Sequence, residues 1–214
     1  MTDLPRITYL GQSGFYIETS DSKFLLDPQN KKSGNLEGDF VYCTHAHFDH
    51  TGGVKTFLTR NQDAILICNE QVTKSFSQFG DRVKTVKQGE SFKFKSHKFT
   101  FTRLKHGMFR GVYNLAVEIQ ISSFTFAHCG DAVSFEGFPT TSVDVLAIPI
   151  GGAFAASPKK ALDMILNLPE PLPTIVPMHW LMRSPNSFCK KLHEARPDTN
   201  CVVPTDGEPL RGYE

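Results

Sequence analysis

Apolar and polar residues change period along this chain. Residues 6–10, 14–19 and 23–27 are short apolar runs separated by turn signals such as Ser20-Asp21-Ser22, which predicts three strands. Residues 40–44 predict a buried strand, residues 51–60 a helix and residues 64–68 the next strand. Val72, Phe76 and Phe79 recur at helical spacing, with Asn69 placed to cap that helix and Gly80 to stop it. From Val83 the period becomes two. Phe92 and Phe94, then Phe99 and Phe101, alternate with polar residues around a Ser96-His97 turn, which predicts a hairpin. Residues 112–121 and 124–128 continue the alternation, and residues 144–150 read as a fully buried strand. Ser157-Pro158 opens a helix with Ala161, Leu162, Ile165 and Leu166 on one face. Strand 174–177, helix 186–195 and strand 201–203 follow. Strands outnumber helices, and helices follow strands in both halves. The expectation is an α+β layered sandwich, sheets packed together with helices outside.

No repeat, low-complexity tract or linker divides the 214 residues, so residues 1–214 are read as a single domain. A chain of that size buries roughly 70% of its unfolded surface and builds a core without staples. Its 23 basic and 22 acidic side chains leave a net charge of +1. There is therefore no long-range field to attract nucleic acid or an anionic membrane. The longest apolar run, 145–156, is too short to span a bilayer and is broken by Pro149, Gly151 and Gly152. The opening MTDLPRITYL has no basic-then-apolar leader, which makes the cytoplasm the expected compartment. Five cysteines without a CxxC pair argue against a disulfide framework, and Cys43, Cys68 and Cys201 read as small buried hydrophobes. His97 at the hairpin tip and His193 near a helix end read as surface residues.

One segment carries chemistry. His45-Ala46-His47-Phe48-Asp49-His50 packs three histidines and an aspartate into six residues, followed by Gly52-Gly53. Imidazole and carboxylate are ligands of Zn²⁺ and similar cations. At a strand end, His45 and His47 point to the same side and can hold one metal between them. Asp49 and His50, at the helix start that follows, face a second point nearby. A solvated histidine-rich turn is the plain alternative, but the strand-then-helix setting favours ligation.

The H-x-H-x-D-H string resembles the signature of the metallo-β-lactamase-fold hydrolases, and the resemblance covers essentially the whole chain. Later ligands of that superfamily are matched by His106 after strand 99–105, Asp131 in Ala127-His128-Cys129-Gly130-Asp131, and His179 in Pro177-Met178-His179-Trp180. Asp27 matches its early structural aspartate. The segments Tyr9-Leu10-Gly11-Gln12-Ser13-Gly14-Phe15 and Ile148-Pro149-Ile150-Gly151-Gly152, with Gly207-Glu208, look most like the ascorbate-6-phosphate-lactonase-like, or UPF metal-dependent hydrolase, branch. The resemblance implies a four-layer αβ/βα sandwich of two mixed sheets with helices outside. It implies that His45, His47 and His106 bind one divalent cation, that Asp49, His50 and His179 bind a second, and that Asp131 bridges them. Zn²⁺ suits such ligands best, with Mn²⁺ and Fe²⁺ admissible. The water between the metals becomes the nucleophile of a hydrolysis, with Asp49 among the catalytic residues. His47 stands where oxygen-reducing diiron relatives carry a glutamate, which disfavours redox chemistry.

Other roles stay open. His128 orients Asp131, contacts substrate or donates a proton as a catalytic residue, or is structural. Asp27 is read as holding the loop of His45 and His47, and Cys129 as packing. Phe48, Phe109, Arg110, Tyr113, Phe154 and Trp180 are candidates to line the substrate site. Only 48 positions separate Asp131 from His179, so the large inserted domain of the family's nucleases does not fit there. A small-molecule ester, lactone or phosphoester is the expected substrate. A compact phosphodiesterase of nucleotides or nucleic acid, and a metal-binding module without turnover, are the alternatives. A phenylalanine-rich surface is compatible with a homo-oligomer.

Overall fold

A computed structural model describes residues 4–107 and 111–213. Twelve strands form two six-stranded sheets among these residues, with the short helices α1 (Lys31–Gly34) and α2 (Phe48–Thr51) between strands of the first. The first sheet runs β1 (Arg6–Tyr9), β2 (Phe15–Glu18), β3 (Lys23–Leu26), β4 (Phe40–Cys43), β5 (Ile65–Cys68) and β6 (Val83–Thr85), in that order. The second contains β7 (Ser91–Phe94), β8 (His97–Leu104), β9 (Asn114–Ile121), β10 (Phe124–His128), β11 (Val145–Pro149) and β12 (Thr174–Met178), ordered from β12 to β7. Both sheets are mixed. Pairings are antiparallel from β1 to β3 and parallel from β3 to β6, antiparallel from β7 to β10 and parallel from β10 to β12.

The period-two pattern decides which face each side chain takes. Phe24, Leu26, Phe40 and Tyr42 point between the sheets, where Phe24 stacks on Phe40 at 4.4 Å and Phe40 meets Phe99 edge-on at 5.2 Å. Their neighbours Leu25, Val41 and Cys43 point outward. There they meet Val54, Phe57 and Leu58 of α3 (Val54–Arg60) and Val72 and Phe76 of α4 (Glu70–Phe76). The outer face of the second sheet is covered by α5 (Pro158–Leu166) and α6 (Pro185–Ala195), through Ala161, Ile165, Phe188 and Leu192. This is a four-layer α+β sandwich buried on both faces of each sheet, which is why its central strands are almost continuously apolar.

Caps follow the expected chemistry. Asn69 accepts from the N–H groups of Gln71 and Val72, and Ser157 accepts from that of Lys160. Four readings change. The helix at 51–60 is two pieces, Phe48–Thr51 and α3, because the Gly53 N–H leaves the helical ladder to donate to the Pro28 carbonyl at 2.7 Å, in a loop approach so close that only glycine fits. A Cβ at Gly52 would lie 2.3 Å from the Gln29 carbonyl. Residues 201–203 form no strand; Cys201 makes a single bridge to Ile175. Cys201 is not a free buried thiol but is disulfide-bonded to Cys189, since docking α6 beside β12 brings their Cα atoms to 5.5 Å. His97 is buried, not exposed. The β2–β3 turn folds over it, and its Nε2 lies 2.6 Å from the Ser22 hydroxyl and 3.0 Å from an Asp21 carboxylate oxygen.

Candidate metal centre

Strand direction brings the site together. β8 and β10 are both antiparallel to β9, so they run the same way as each other and as β11 and β12. His106, Asp131 and His179 follow the ends of β8, β10 and β12, at one rim of the second sheet. His45 and His47 follow β4 in the facing sheet, and His47 is the extended residue that caps the turn Phe48–Thr51 carrying Asp49 and His50. Residues spread over 135 positions thus meet between the sheet rims.

They meet as two sets. One ligand atom from each of His45, His47, His106 and Asp131 lies within 4.8 Å of the others, and the same holds for Asp49, His50 and His179. Asp131 stands between the sets. Its Oδ2 is 3.8 Å from His45 Nε2, 3.6 Å from His106 Nε2 and 3.5 Å from His179 Nε2, and its Oδ1 is 3.4 Å from His50 Nε2.

The donors fit divalent cations. His50 Nε2, both ring nitrogens of His106, Asp131 Oδ1 and His179 Nδ1 are buried side-chain atoms without a hydrogen-bond partner, a cluster of unmet polar groups that a folded core otherwise avoids. Burial pushes the His45 and His47 pKa values below the usual histidine range, which leaves neutral imidazoles with lone pairs to give. Burial also opposes charge on His50. Asp27 and Asp131 outweigh it and hold its proton well above the usual range. Burial opposes charge on Asp131 as well, but His50, His106 and His179 overcome it and keep the carboxyl well below its usual range. A pocket that attracts positive charge this strongly suits a metal ion.

Asp27 organises the centre from behind. It is fully buried, and its carboxylate accepts from the Thr44 N–H at 2.8 Å, the Thr44 hydroxyl at 2.7 Å and His50 Nδ1 at 2.7 Å. With Nδ1–H pinned on Asp27, His50 presents Nε2 to Asp131. His128 is also fully buried. The Gly130 N–H donates to its Nδ1 at 3.1 Å and its Nε2 donates to the Ser13 carbonyl at 2.8 Å. Both ring nitrogens are spent on the backbone, so the expected catalytic role of His128 has no free nitrogen behind it; the ring ties the Asp131 loop to the Gln12 loop.

A cleft of about 350 Å³ opens on the centre, lined by Gln12, His47, Phe48, Asp49, Asp131, Phe154, His179 and Leu181. Phe48 and Phe154 line it; Tyr113 and Trp180 do not. Tyr113 accepts from the Gln88 N–H under the Arg103 guanidinium, and Trp180 packs on Tyr9. Phe109 and Arg110 lie outside the described residues. Two lining residues escaped the sequence reading. Gln12 donates its side-chain N–H to Asp49 Oδ2 at 3.1 Å and lies 3.0 Å from His179 Nε2, while its carbonyl accepts from the His179 N–H at 2.6 Å. Its only signal in the sequence was its place in the motif after β1. Leu181 had none.

A family model described as a beta-lactamase superfamily domain matches residues 6–179. A UPF0173 metal-dependent hydrolase of Methanosarcina mazei is 27% identical over 235 positions, covering 99% of this chain and 100% of that protein. The structure of a metallo hydrolase from the hyperthermophilic archaeon Ignicoccus hospitalis superposes with a TM-score of 0.79 at 24% identity, covering 96% of this chain and 97% of that one. The metallo-beta-lactamase fold protein YhfI of Bacillus subtilis gives a TM-score of 0.79 at 14% identity, over 96% of this chain and 98% of that one. The two superpositions establish the shared fold. No helix among the described residues is long and apolar enough to cross a membrane.

Proposed function

The chain belongs to the beta-lactamase superfamily and is a metal-dependent hydrolase, and on that premise we propose that it holds two divalent cations, Zn²⁺ in the first instance, and cleaves a small-molecule ester, lactone or phosphoester. The observation that carries this reading is the pair of ligand sets sharing Asp131. Structural zinc sites are closed by four protein ligands, whereas the set Asp49, His50 and His179 reaches four only by borrowing Asp131 and opens on the cleft. When bound, the cations acidify water and polarise the scissile carbonyl or phosphoryl oxygen.

The chain's own groups do the rest. Burial raises the Asp49 pKa, but hydrogen bonds from His179 and Gln12 and the charge on His50 outweigh it, so the carboxyl lies below the usual range and acts only as an acceptor. Asp49 is thereby held ionised, suited to ligate and to orient the attacking water as an acceptor rather than to act as a strong base. The Gln12 amide is the one carboxamide donor among the described lining residues, placed to support charge developing on the substrate oxygen. Asp27 and His128 are positioning residues, and Cys129 is packing, since burial pushes its thiol well above the usual range.

The test is metal content by plasma mass spectrometry together with turnover of p-nitrophenyl esters, lactones and bis-p-nitrophenyl phosphate. Two metals per chain and loss of turnover in His47→Ala are expected. Fewer than two metals, or full activity in that variant, overturns the reading.

A further inference from the structure

Among the described residues, five large apolar side chains are exposed: Leu4, Phe48, Phe154, Leu181 and Met182. Single exposed apolar groups need no explanation, but contiguous ones do. Three of the five line the same cleft, and Met182 follows Leu181 in the chain. They are 78%, 39%, 49% and 100% exposed in the order Phe48, Phe154, Leu181, Met182. Phe48, Phe154 and Leu181 each sit beside a candidate ligand, in the chain or across a backbone hydrogen bond. Phe48 lies between His47 and Asp49, and Leu181 lies two residues after His179. The Phe154 carbonyl accepts from the N–H of Gly107, next to His106.

Their backbone supports the same conclusion. Leu181 has φ +52°, and Ala153, which sets the course of Phe154, also has φ +52°. L-residues avoid that region, and neither position is repaid by burial of its apolar side chain. The polar part of the lining is Gln12, two histidines and two aspartates, with no lysine or arginine among the described lining residues. Arg183 stands outside the lining, its guanidinium 3.7 Å from where a Cβ on Gly152 would sit.

We propose that Phe48, Phe154 and Leu181 form a recognition rim for an uncharged alkyl or aryl group beside the scissile bond. Within the hydrolase reading above, on which this inference rests, the substrate class is a neutral apolar ester or lactone. Water adds its oxygen to the acyl carbon, the acyl carbon–oxygen bond breaks, and the products are a carboxylic acid, which loses its proton to solvent, and an alcohol. An anionic leaving group or acyl chain finds no cationic side chain in the described lining to hold it.

The test uses the Zn²⁺-loaded full chain and two homologous series. p-Nitrophenyl esters from acetate to octanoate report kcat/KM, and alkyl hydroxamates of the same lengths report affinity by calorimetry without turnover. Affinity and kcat/KM should both rise about threefold per added methylene until the chain outgrows the cleft. Phe48→Ser and Leu181→Asn should each flatten that dependence, and asparagine is at home at the positive φ of position 181. Leu4→Ser, remote from the cleft, should keep it. Thermal melts and metal content of each variant separate a lost rim from a lost fold, and Met182→Ser extends the test should Phe48→Ser bind less metal. A flat hydroxamate series in the unaltered protein overturns the proposal, as does a slope that both rim variants leave intact. So does a tenfold preference for an anionic ester that Arg183→Gln abolishes, or a flat series with a dimer that Phe48→Ser disperses, which would assign the rim to a second copy. If no ester is turned over while the hydroxamate slope persists and responds to the variants, the hydrolytic reading fails and the apolar rim stands.

Discussion

Replacing Asp27 by asparagine changes almost no volume and removes one buried charge, so its consequences can be followed bond by bond. Two carboxylate oxygens serve three donors: Oδ1 takes the Thr44 N–H, and Oδ2 takes the Thr44 hydroxyl and His50 Nδ1. Asparagine brings one oxygen and an NH₂. Turned one way, the NH₂ faces the Thr44 N–H and leaves a buried donor unpaired, at about 1–3 kcal/mol. Turned the other way, it donates to His50 Nδ1. The His50 proton must then sit on Nε2, the nitrogen 3.4 Å from Asp131 Oδ1 that is needed for the metal. Loss of a carboxylate behind a ligating histidine weakens metal binding by roughly 10–100-fold, or about 1.4–2.7 kcal/mol. The assay is competition with a chromogenic chelator, reading two successive dissociation constants, beside thermal melts with and without chelator. The expected result is that the weaker metal loses roughly 10–100-fold, while the set of His45, His47 and His106 is affected less because its contact with Asp27 runs only through Thr44. Unchanged metal affinity with an unchanged Tm would refute the claim that Asp27 sets the His50 tautomer.

Three further outcomes follow from separate parts of the molecule. His179→Ala should lower bound metal from two to one per chain by plasma mass spectrometry, since it leaves Asp49 and His50 without their third partner. Glu118 is buried and accepts from the N–H and hydroxyl groups of both Thr140 and Thr141, so Glu118→Ala should cost about 3 kcal/mol or more in a denaturant titration while metal content stays at the wild-type value. Cys68 is buried with its thiol pushed up to about 12, and burial raises Cys43 and Cys129 well above the usual range. Ellman's reagent should therefore find no fast-reacting thiol in the native chain, three after denaturation and five after reduction, with five before reduction refuting the Cys189–Cys201 bond.

The stability of the closed β2–β3 turn is also expected to depend on pH. Burial lowers the His97 pKa against the pull of Asp21, so the unfolded state binds more protons than the folded one as pH falls. Stability supplied by neutral His97 is complete above the ordinary histidine value of about 6.5 and is lost as pH drops below it. His97→Gln should show a smaller fall in Tm between neutral and mildly acid buffer than the parent chain; an equal fall would show that His97 gains no proton on unfolding.

What the sequence made legible follows from range. Strand alternation and caps are local, so β10 was readable to the residue and Asn69 and Ser157 as caps. The candidate ligand residues stood out because histidines and aspartates clustered at strand ends are chemically marked, and the fold brings them together. Features created by chain segments far apart were not. An isolated hairpin would expose His97, and only the turn of the opposite sheet buries it. Cys189 and Cys201 carry no spacing signature, and they meet because α6 lies along β12. Gln12 and Leu181 are ordinary residues whose importance lies in where their loops converge.

Convergence also explains where this fold holds its strain. Seven described non-glycine residues have positive φ. Lys95 and Ser122 belong to hairpin turns, where a tight reversal demands it. The other five, Gln12, Asp27, Ala153, His179 and Leu181, surround the metal centre. Each such residue costs on the order of 1–3 kcal/mol and persists only where its surroundings over-determine it. Here the surroundings are visible. The carbonyl of Gln12 is held by the Tyr9 hydroxyl and by the N–H of His179, so two strained residues on different sheets lock one another. The Asp27 N–H donates to the Tyr42 carbonyl, while Tyr42 is itself buried and bonded to the Leu115 carbonyl in the opposite sheet. The aromatic-filled space between the sheets therefore does more than stabilise the chain. It is a rigid support against which the loops can be bent into conformations that bring the seven residues of the two candidate ligand sets to adjacent points, and the same bending leaves the exposed apolar side chains standing in solvent at the mouth.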